Sequence, residues 1–430
     1  MTQPCFGPAQ ILLPAEQIPL DQWACVACDQ FTSQPEYWDE VRSRTSGGPS
    51  TMDLILPDGP RTEEELAQAI DTAHSRMRTY LDTVLTRSVN GFVYLERTTS
   101  SGVRQGLVGQ IDLEAYSQDL ADAPAIRPSE RVLESRMPER LALRRGAVLE
   151  TSHAMLLADD EEQTVVEPIA ACKDQLPLLY DGTLMQGGGS LKGWAVEDPA
   201  LVQQICHAVA ALGTQEHFDH CYPTVAGQTP FCLMVADGEH SISAAKAHWQ
   251  QVKAGLTPEQ QRSHPARFYL AELCNLHSPA ICMEPIHRVL FGGNAASVIL
   301  CLAEYMDYYG ARIRAGQGTE KCRQQLDLVL PCRQVSIGLD RIWNTLTVAT
   351  VDEFIRSYQS DHPGVQVDFI HGRETARRLA TEGGVGFLLP SLDKLELFRC
   401  VVQGGVLPCK TFSLGHAVEK RYYNECRKLI

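Results

Sequence analysis

The chain has 430 residues, 44% of them apolar and 21% charged, with 32 Gly and 24 Pro in no regular period. That is the composition of a globular protein with room for two or three domains. No segment approaches the run of about 18 apolar residues that a membrane helix needs, and MTQPCFGPAQ at the start lacks the basic and apolar blocks of a secretory signal. The net charge of -15 argues against nucleic acid and membrane surfaces as partners, since both are bound through clustered Lys and Arg. A cytoplasmic protein with a small-molecule partner is the expectation, with space for a local basic pocket around a phosphorylated ligand.

The 15 cysteines sit mostly in apolar contexts and read as small reduced hydrophobes. Cys25-x-x-Cys28 has no second pair at zinc spacing, so a packing role outweighs a redox or metal role.

In chain order, Trp23 to Cys28 reads as a strand and Pro35 to Arg44 as a short helix. Asp29-Gln30-Phe31-Thr32 closes that strand; Asp29 either faces a site or caps the turn before Thr32-Ser33. Glu63 to Arg87 has helical spacing and opens on a capping box with acids in its first turn. Phe92–Arg97 and Gly106–Leu113 read as strands around Ser100-Ser101-Gly102. Arg127, Arg131, Arg136, Arg140 and Arg144 alternate with Glu130, Glu134 and Glu139, which favours a solvated face of ion pairs over an anion-binding arm. His153–Ala158 and Thr164–Pro168 read as a strand pair. Residues 186–193, QGGGSLKG, are either a connector or a loop whose backbone approaches a phosphate, with Lys192 as a point charge. Pro199–Leu212 has helical period.

The densest chemistry follows. Phe231 to Val235 reads as a buried strand that stops at Asp237-Gly238-Glu239-His240-Ser241, and Ile242 to Trp249 as a helix that Ser241 or Ser243 can cap. Two carboxylates and a histidine thus sit at a strand-to-helix turn, where unpaired N–H groups and the dipole favour an anion. Asp237 and Glu239 suit a divalent ion or a proton acceptor, and His240 a phosphoryl contact or acid–base work. The bland alternative is that Asp237 caps the helix and His240 lies on the surface.

Pro265–Leu276 is ambiguous between strand and helix, and Cys282–Phe291 reads as a strand. Within it, Glu284, Ile286 and Arg288 share one face if extended, and His287 takes the other. Arg288 then needs an anion, either a ligand or Glu284 itself. Further on come a helix over Val351–Tyr358, strands near Val365–Ile370 and Val385–Leu389, and a helix over Lys394–Gln403. The tail from Leu407 to Ser413, with Lys410, then Glu419-Lys420-Arg421-Tyr422-Tyr423, either closes over an anionic ligand or docks with a charged face outward. No Walker A, GxSxG, HExxH or GxGxxG fingerprint is present. Elements alternate too irregularly for a doubly wound sheet, so a mixed-sheet α/β (α+β) protein is expected, in three regions: 1–160, 161–295 with the central turn, and 296–430 packing back on the core.

Several segments together resemble one bacterial family, domain of unknown function 1015. They are Ala27 to Trp38, Gly106-Leu-Val-Gly109, Met185-Gln-Gly-Gly-Gly189, Asp237 to Ser241, Glu284 to Arg288 and Leu407 to Ser413, in order over essentially the whole chain. Much of that family carries Asp-Gly-His-His-Arg at the central turn, and one branch Asp-Gly-Asn-His-Ser. This chain is closer to the branch and departs from it at Glu239. The turn also resembles that of free-serine kinases with a ParB/sulfiredoxin-like core, which phosphorylate the hydroxyl of L-serine.

The resemblance implies a kinase-type phosphotransferase with ATP, ADP or pyrophosphate as donor. Asp29, Asp237, Glu239 and His240 would be catalytic. Gly238, Ser241, Lys192, Glu284, His287, Arg288 and Lys410 would hold substrate or phosphate. Asp237 and Glu239 would hold magnesium, which offsets the extra charge of Glu239 beside a polyphosphate. A non-catalytic binder of the same fold is the alternative; a ParB-like nucleic-acid role is disfavoured by charge.

Overall fold

The computed structural model describes residues 4–31, 34–151 and 153–430, so the run of the Asp29 turn into Thr32-Ser33 lies outside the described residues. The chain forms two units, one of residues 1–282 with 417–430 and one of residues 283–416. Each is mixed α/β, as the sequence predicts.

The first unit is built on strands β1 (Phe6–Gly7), β2 (Ala9–Leu13), β3 (Cys25–Val26), β4 (Arg87–Thr99), β5 (Gly102–Asp112), β6 (Ile126–Pro128), β7 (Leu149–Glu150), β8 (Ala154–Ala158), β9 (Leu178–Thr183), β10 (Ser190–Val196), β11 (Leu233–Asp237) and β12 (Phe268–Asn275). Its helices are α1 (Leu20–Trp23), α2 (Pro35–Thr45), α3 (Glu63–Thr83), α4 (Met137–Arg144), α5 (Glu167–Cys172), α6 (Pro199–Leu212), α7 (Gln215–Cys221), α8 (Glu239–Lys253) and α9 (Pro258–Ser263). The main sheet runs β6-β11-β8-β12-β5-β4-β10-β9, with β1 on β5 and β2 on β4. The β6–β11 and β8–β12 pairs are parallel and the rest of that path antiparallel.

Period-two alternation gives this sheet two apolar faces. Phe92, Tyr94, Leu107, Leu156, Leu233 and Leu273 pack with Val209 of α6 and Ile242 and Trp249 of α8. Val93, Leu95, Val108 and Leu270 pack on the other side with Trp23, Met77 and Tyr80. Helix α3 carries the expected capping box, Thr62 with Glu65.

The second unit has strands β13 (Met283–Phe291), β14 (Arg312–Ala315), β15 (Gln324–Leu330), β16 (Arg333–Asp340), β17 (Gln366–His371), β18 (Val385–Leu388) and β19 (Phe412–Leu414), with helices α10 (Ala295–Tyr308), α11 (Thr347–Asp361), α12 (Arg373–Thr381) and α13 (Leu397–Gly404). Its sheet order is β14-β16-β15-β18-β13-β17, with β19 on β13. The chain then returns to the first unit, where β20 (Tyr422–Tyr423) pairs with β3 and β21 (Arg427–Lys428) with β7. Arg427 places Nε 2.7 Å from Glu150, which also accepts from Arg144 at 2.7 Å and from the Leu270 amide at 2.8 Å.

The structure differs from the sequence reading in three places here. Trp23 ends a short helix, and the strand is only Cys25–Val26. Thr164–Pro168 is not a strand: the Asp160 carboxylate accepts from the amides of Thr164 and Val165 at 2.7 and 2.9 Å, a turn that leads into α5 with Pro168 in its first turn. The arginine row is not a solvated face. Arg144 is buried on Glu150, Arg136 and Arg140 converge on Asp58, and Arg127 lies over the Phe231 ring. No helix among the described residues is long and apolar enough to cross a membrane.

Arg427→Ala would remove one of the cations on a fully enclosed carboxylate. It should lower the urea midpoint by the equivalent of about 3 kcal/mol, against less than half of that for Arg427→Lys.

Candidate functional site

The site grows from an irregularity in β11. Val235 pairs with Leu156, but Asp237 pairs with Met155, a register shift of one residue. Neighbouring positions on a strand point to opposite faces, so this bulge turns Asp237 away from the face of Val235. Met155 also pairs with Glu272, which puts Asp237, Met155 and Glu272 in one row across three strands. Glu272 reaches over β5 because residue 106 is glycine: a Cβ there would lie 2.9 Å from its Oε1. Arg104 donates to Glu272 at 3.3 Å, and Arg97 is the cross-strand partner of Arg104. His153 Nε2 is 3.4 Å from the other Glu272 oxygen. A band of buried charge thus crosses β11, β8, β12, β5 and β4.

The returning tail covers this band. Lys420 Nζ is 3.3 Å from one Asp237 oxygen and Arg421 Nη2 is 3.5 Å from the other. Arg421 also donates to the His153 carbonyl. Arg97 donates to the carbonyls of Lys420 at 3.4 Å and Val418 at 3.2 Å, and Arg104 to that of Glu419 at 3.3 Å. The Ala27 amide donates to the Arg421 carbonyl at 2.8 Å, which ties the Asp29 segment to the same place.

The turn itself is fixed by Gly238, at φ +92°, where a Cβ would also meet the Arg421 guanidinium at 2.6 Å. It is the N-cap of α8, which starts at Glu239 with no side-chain cap. The expected caps, Ser241 and Ser243, lie inside the helix, and Ser243 instead meets the Tyr116 hydroxyl at 3.0 Å. The Glu239 amide is instead engaged by the Glu239 carboxylate, and the positive end of the α8 dipole faces the turn.

Electrostatics separate the two carboxylates. Burial opposes the charge of Asp237, but Arg421 and Lys420 outweigh it and hold its pKa below the ordinary value; Asp29 is close enough to oppose them. Burial, then Glu130, then Asp237 push Glu239 up to about 8. Glu239 accepts from Ser129 at 3.0 Å, and His240 Nε2 accepts the Leu133 amide at 2.9 Å. Burial raises Glu272, but Arg104 and His153 bring it well below the carboxylate range. Burial and then Arg104 lower Arg97 to about 10.

Of the residues expected at the site, the structure brings Asp29, Asp237, Gly238, Glu239, His240 and Ser241 into this region. Lys192 is on β10, bound across the strands to Asp181 at 2.8 Å, and its loop is the β9–β10 turn, with Gly188 packed where a Cβ would meet the Tyr422 ring. Glu284, His287, Arg288 and Lys410 belong to the second unit. There Arg288 is fully buried and grips Asp352 of α11 at 2.8 and 2.9 Å, while the Lys410 carbonyl accepts from its Nη1 at 2.8 Å. Glu284 is not its partner; it lies opposite Ser413. His287 Nδ1 accepts the Leu389 amide at 3.1 Å, and burial lowers its pKa to about 4.

Sequence reasoning missed Glu272, Arg104, Arg97 and His153, which gain meaning only through strand pairing. Lys420 and Arg421 were visible as part of a basic tail without an assigned partner. Cys25 and Cys28 are free thiols, pushed by burial up to about 12 and 11. Asp237 is matched by two cations and Glu239 is half-buried beside Glu130. Among the described residues no group of three or more His, Cys, Asp or Glu is arranged to hold a metal. The donor set does not fit magnesium bound by Asp237 and Glu239.

The model of the family described as "protein of unknown function (DUF1015)" matches residues 9–353. The chain belongs to that family. No curated protein matches its sequence. Among solved structures it is similar to free serine kinase in complex with AMP, at 12% identity and a TM-score of 0.41 over 75% of this chain and 92% of that one. A conserved hypothetical protein from Pyrococcus furiosus is similar at 11% identity and 0.38, over 75% and 95% of the two chains. SbnI with a C-terminal truncation, from Staphylococcus aureus, is similar at 11% identity and 0.36, over 72% and 83%. Likenesses at this level assign no role to any residue of the DUF1015 chain.

Glu239 gives a pH signature. Its folded pKa is above the unfolded one, so its contribution to stability is complete at low pH and is lost as pH rises through about 8. Melting temperature should therefore fall between about pH 4.5 and 8 in the native protein and stay flatter in Glu239→Gln. Asp237 has the opposite sign, and Asp237→Asn should remove stability present at neutral pH that the native protein loses only in acid.

Proposed function

We propose that this protein is a small-molecule phosphotransferase, moving a phosphoryl group from ATP, ADP or pyrophosphate to the hydroxyl of free L-serine or a similar metabolite. The observation that carries the reading is Asp237 at the uncapped start of α8, fixed between Lys420 and Arg421. Contacts of 3.3 and 3.5 Å are long for charge-assisted bonds, and Arg421 Nε is buried without an acceptor. Both cations therefore retain capacity for phosphate oxygens, at the positive end of the α8 dipole.

Asp237 is the positioning residue, holding Lys420 and Arg421 in place while staying ionised. Asp29 takes the proton of the acceptor hydroxyl. The hydroxyl oxygen bonds to phosphorus, the bond from phosphorus to the leaving phosphate oxygen breaks, and the proton goes to the carboxylate. Glu239, with its pKa near 8, is mostly protonated at neutral pH and adds little charge beside the donor. That removes the conflict its presence creates in the sequence, without a metal. The resemblance of Asp237-Gly-Glu-His-Ser241 to the turn of free-serine kinases supports the same assignment.

The test is incubation of the purified full chain with L-serine and each donor in turn, read by phosphoserine formation. Phosphoserine should accumulate with at least one donor. Asp29→Asn should lower kcat by about a hundredfold with little change in donor KM, and Arg421→Lys should raise donor KM by about tenfold. If no donor is consumed and no phosphoserine forms, the reading fails.

A further inference from the structure

Beside the turn, α3, α4, α8 and the Leu54–Leu56 segment border a cavity of about 70 Å³. Much of its wall is apolar, with Leu54, Met77, Leu143, Leu149 and Ala244 among the lining residues. Arg140 and Arg144 are also among the lining residues, together with the carboxylates Asp58, Glu139 and Glu150.

The two arginines are under-matched. Arg144 is 8% exposed and gives Nη1 to Glu150, while its Nε and Nη2 are buried with no acceptor. Arg140 binds Asp58 through Nη2 at 3.0 and 3.2 Å, and its Nε is likewise without an acceptor. Both carboxylates are already shared, Asp58 with Arg136 and Glu150 with Arg427. Four guanidinium groups thus meet two carboxylates; Asp29 also attracts Arg140 from the turn, and Glu139 faces Arg61 at 3.8 Å. Buried N–H donors without acceptors and positive charge against an apolar wall are both costly, and one ligand anion relieves both.

We propose that this cavity binds a small carboxylate with an apolar body of about four to six carbons, its carboxylate on Arg144 and Arg140 and its body against Leu54, Met77 and Ala244. An amphiphile is required because each half alone fails. A bare anion leaves the apolar wall unfilled, and a hydrocarbon leaves the arginine donors unmet. The site stands whether or not the adjacent turn transfers a phosphoryl group.

Calorimetric titration of the full chain with butyrate, hexanoate, butan-1-ol and hexan-1-ol tests this without any turnover assay. Hexanoate should bind at least about tenfold more tightly than hexan-1-ol. Ala244→Leu, which fills the cavity, should weaken hexanoate by about tenfold or more at unchanged secondary structure, and Arg144→Met should abolish the preference for acid over alcohol. Ala147→Val serves the same purpose if Ala244→Leu does not fold. Absence of carboxylate binding at millimolar concentration, equal affinity for acid and alcohol, or undiminished binding in the filled variant would each overturn the proposal.

Discussion

Two enclosed carboxylates of the first unit are neutralised by residues that follow the second unit in the chain. Asp237 meets Lys420 and Arg421, and Glu150 meets Arg427. A carboxylate enclosed without a partner is too costly to keep ionised, so these pairings decide whether the sheet can close over its charged band at all. Other features follow from that. The β11 bulge is useful only because a cation waits on the face to which it turns Asp237. Gly106 is required because Glu272 must lie across β5 to meet Arg104. Tyr422 and Tyr423 form a strand against Cys25–Val26, and so hold the Asp29 segment in register with Arg421.

The same arrangement separates the tasks of the two acids in the turn. Asp237 is held ionised by its cations, whereas Glu239, two residues on, faces Glu130 and Asp237 and retains a proton to about pH 8. Two chemically similar side chains thus present different charge to whatever enters. A sequence alignment by residue type would treat both as anions, and only their surroundings tell them apart.

Elements with strong local signals were legible in the sequence. The α3 capping box, the Pro199–Leu212 helix and the strand-to-helix turn at Asp237 each rest on neighbours within a few residues, and each is present. What failed depended on distant partners. Arg288 could be assigned to Glu284 because both were visible two residues apart, yet its partner is Asp352, 64 positions away on α11. The arginine row looked like a surface because its spacing was helical, but Asp58 and Glu150 draw much of it inward. His153 and Glu272 carry no local motif; the pairing of β8, which begins just after His153, with β12 brings them together.

The position of the cations in the chain has a consequence for biosynthesis. Asp237 and Glu150 leave the ribosome well before Lys420, Arg421 and Arg427, with the whole second unit made in between. During that interval the nascent first unit carries acids whose partners do not yet exist, and its β3 and β7 strands lack their final neighbours. Closure therefore waits until the second unit has been made, and that unit acts as the loop that must be spanned before it. A chain interrupted anywhere before residue 420 would expose unpaired strand edges and unmatched charge, the features by which folding surveillance distinguishes an incomplete product.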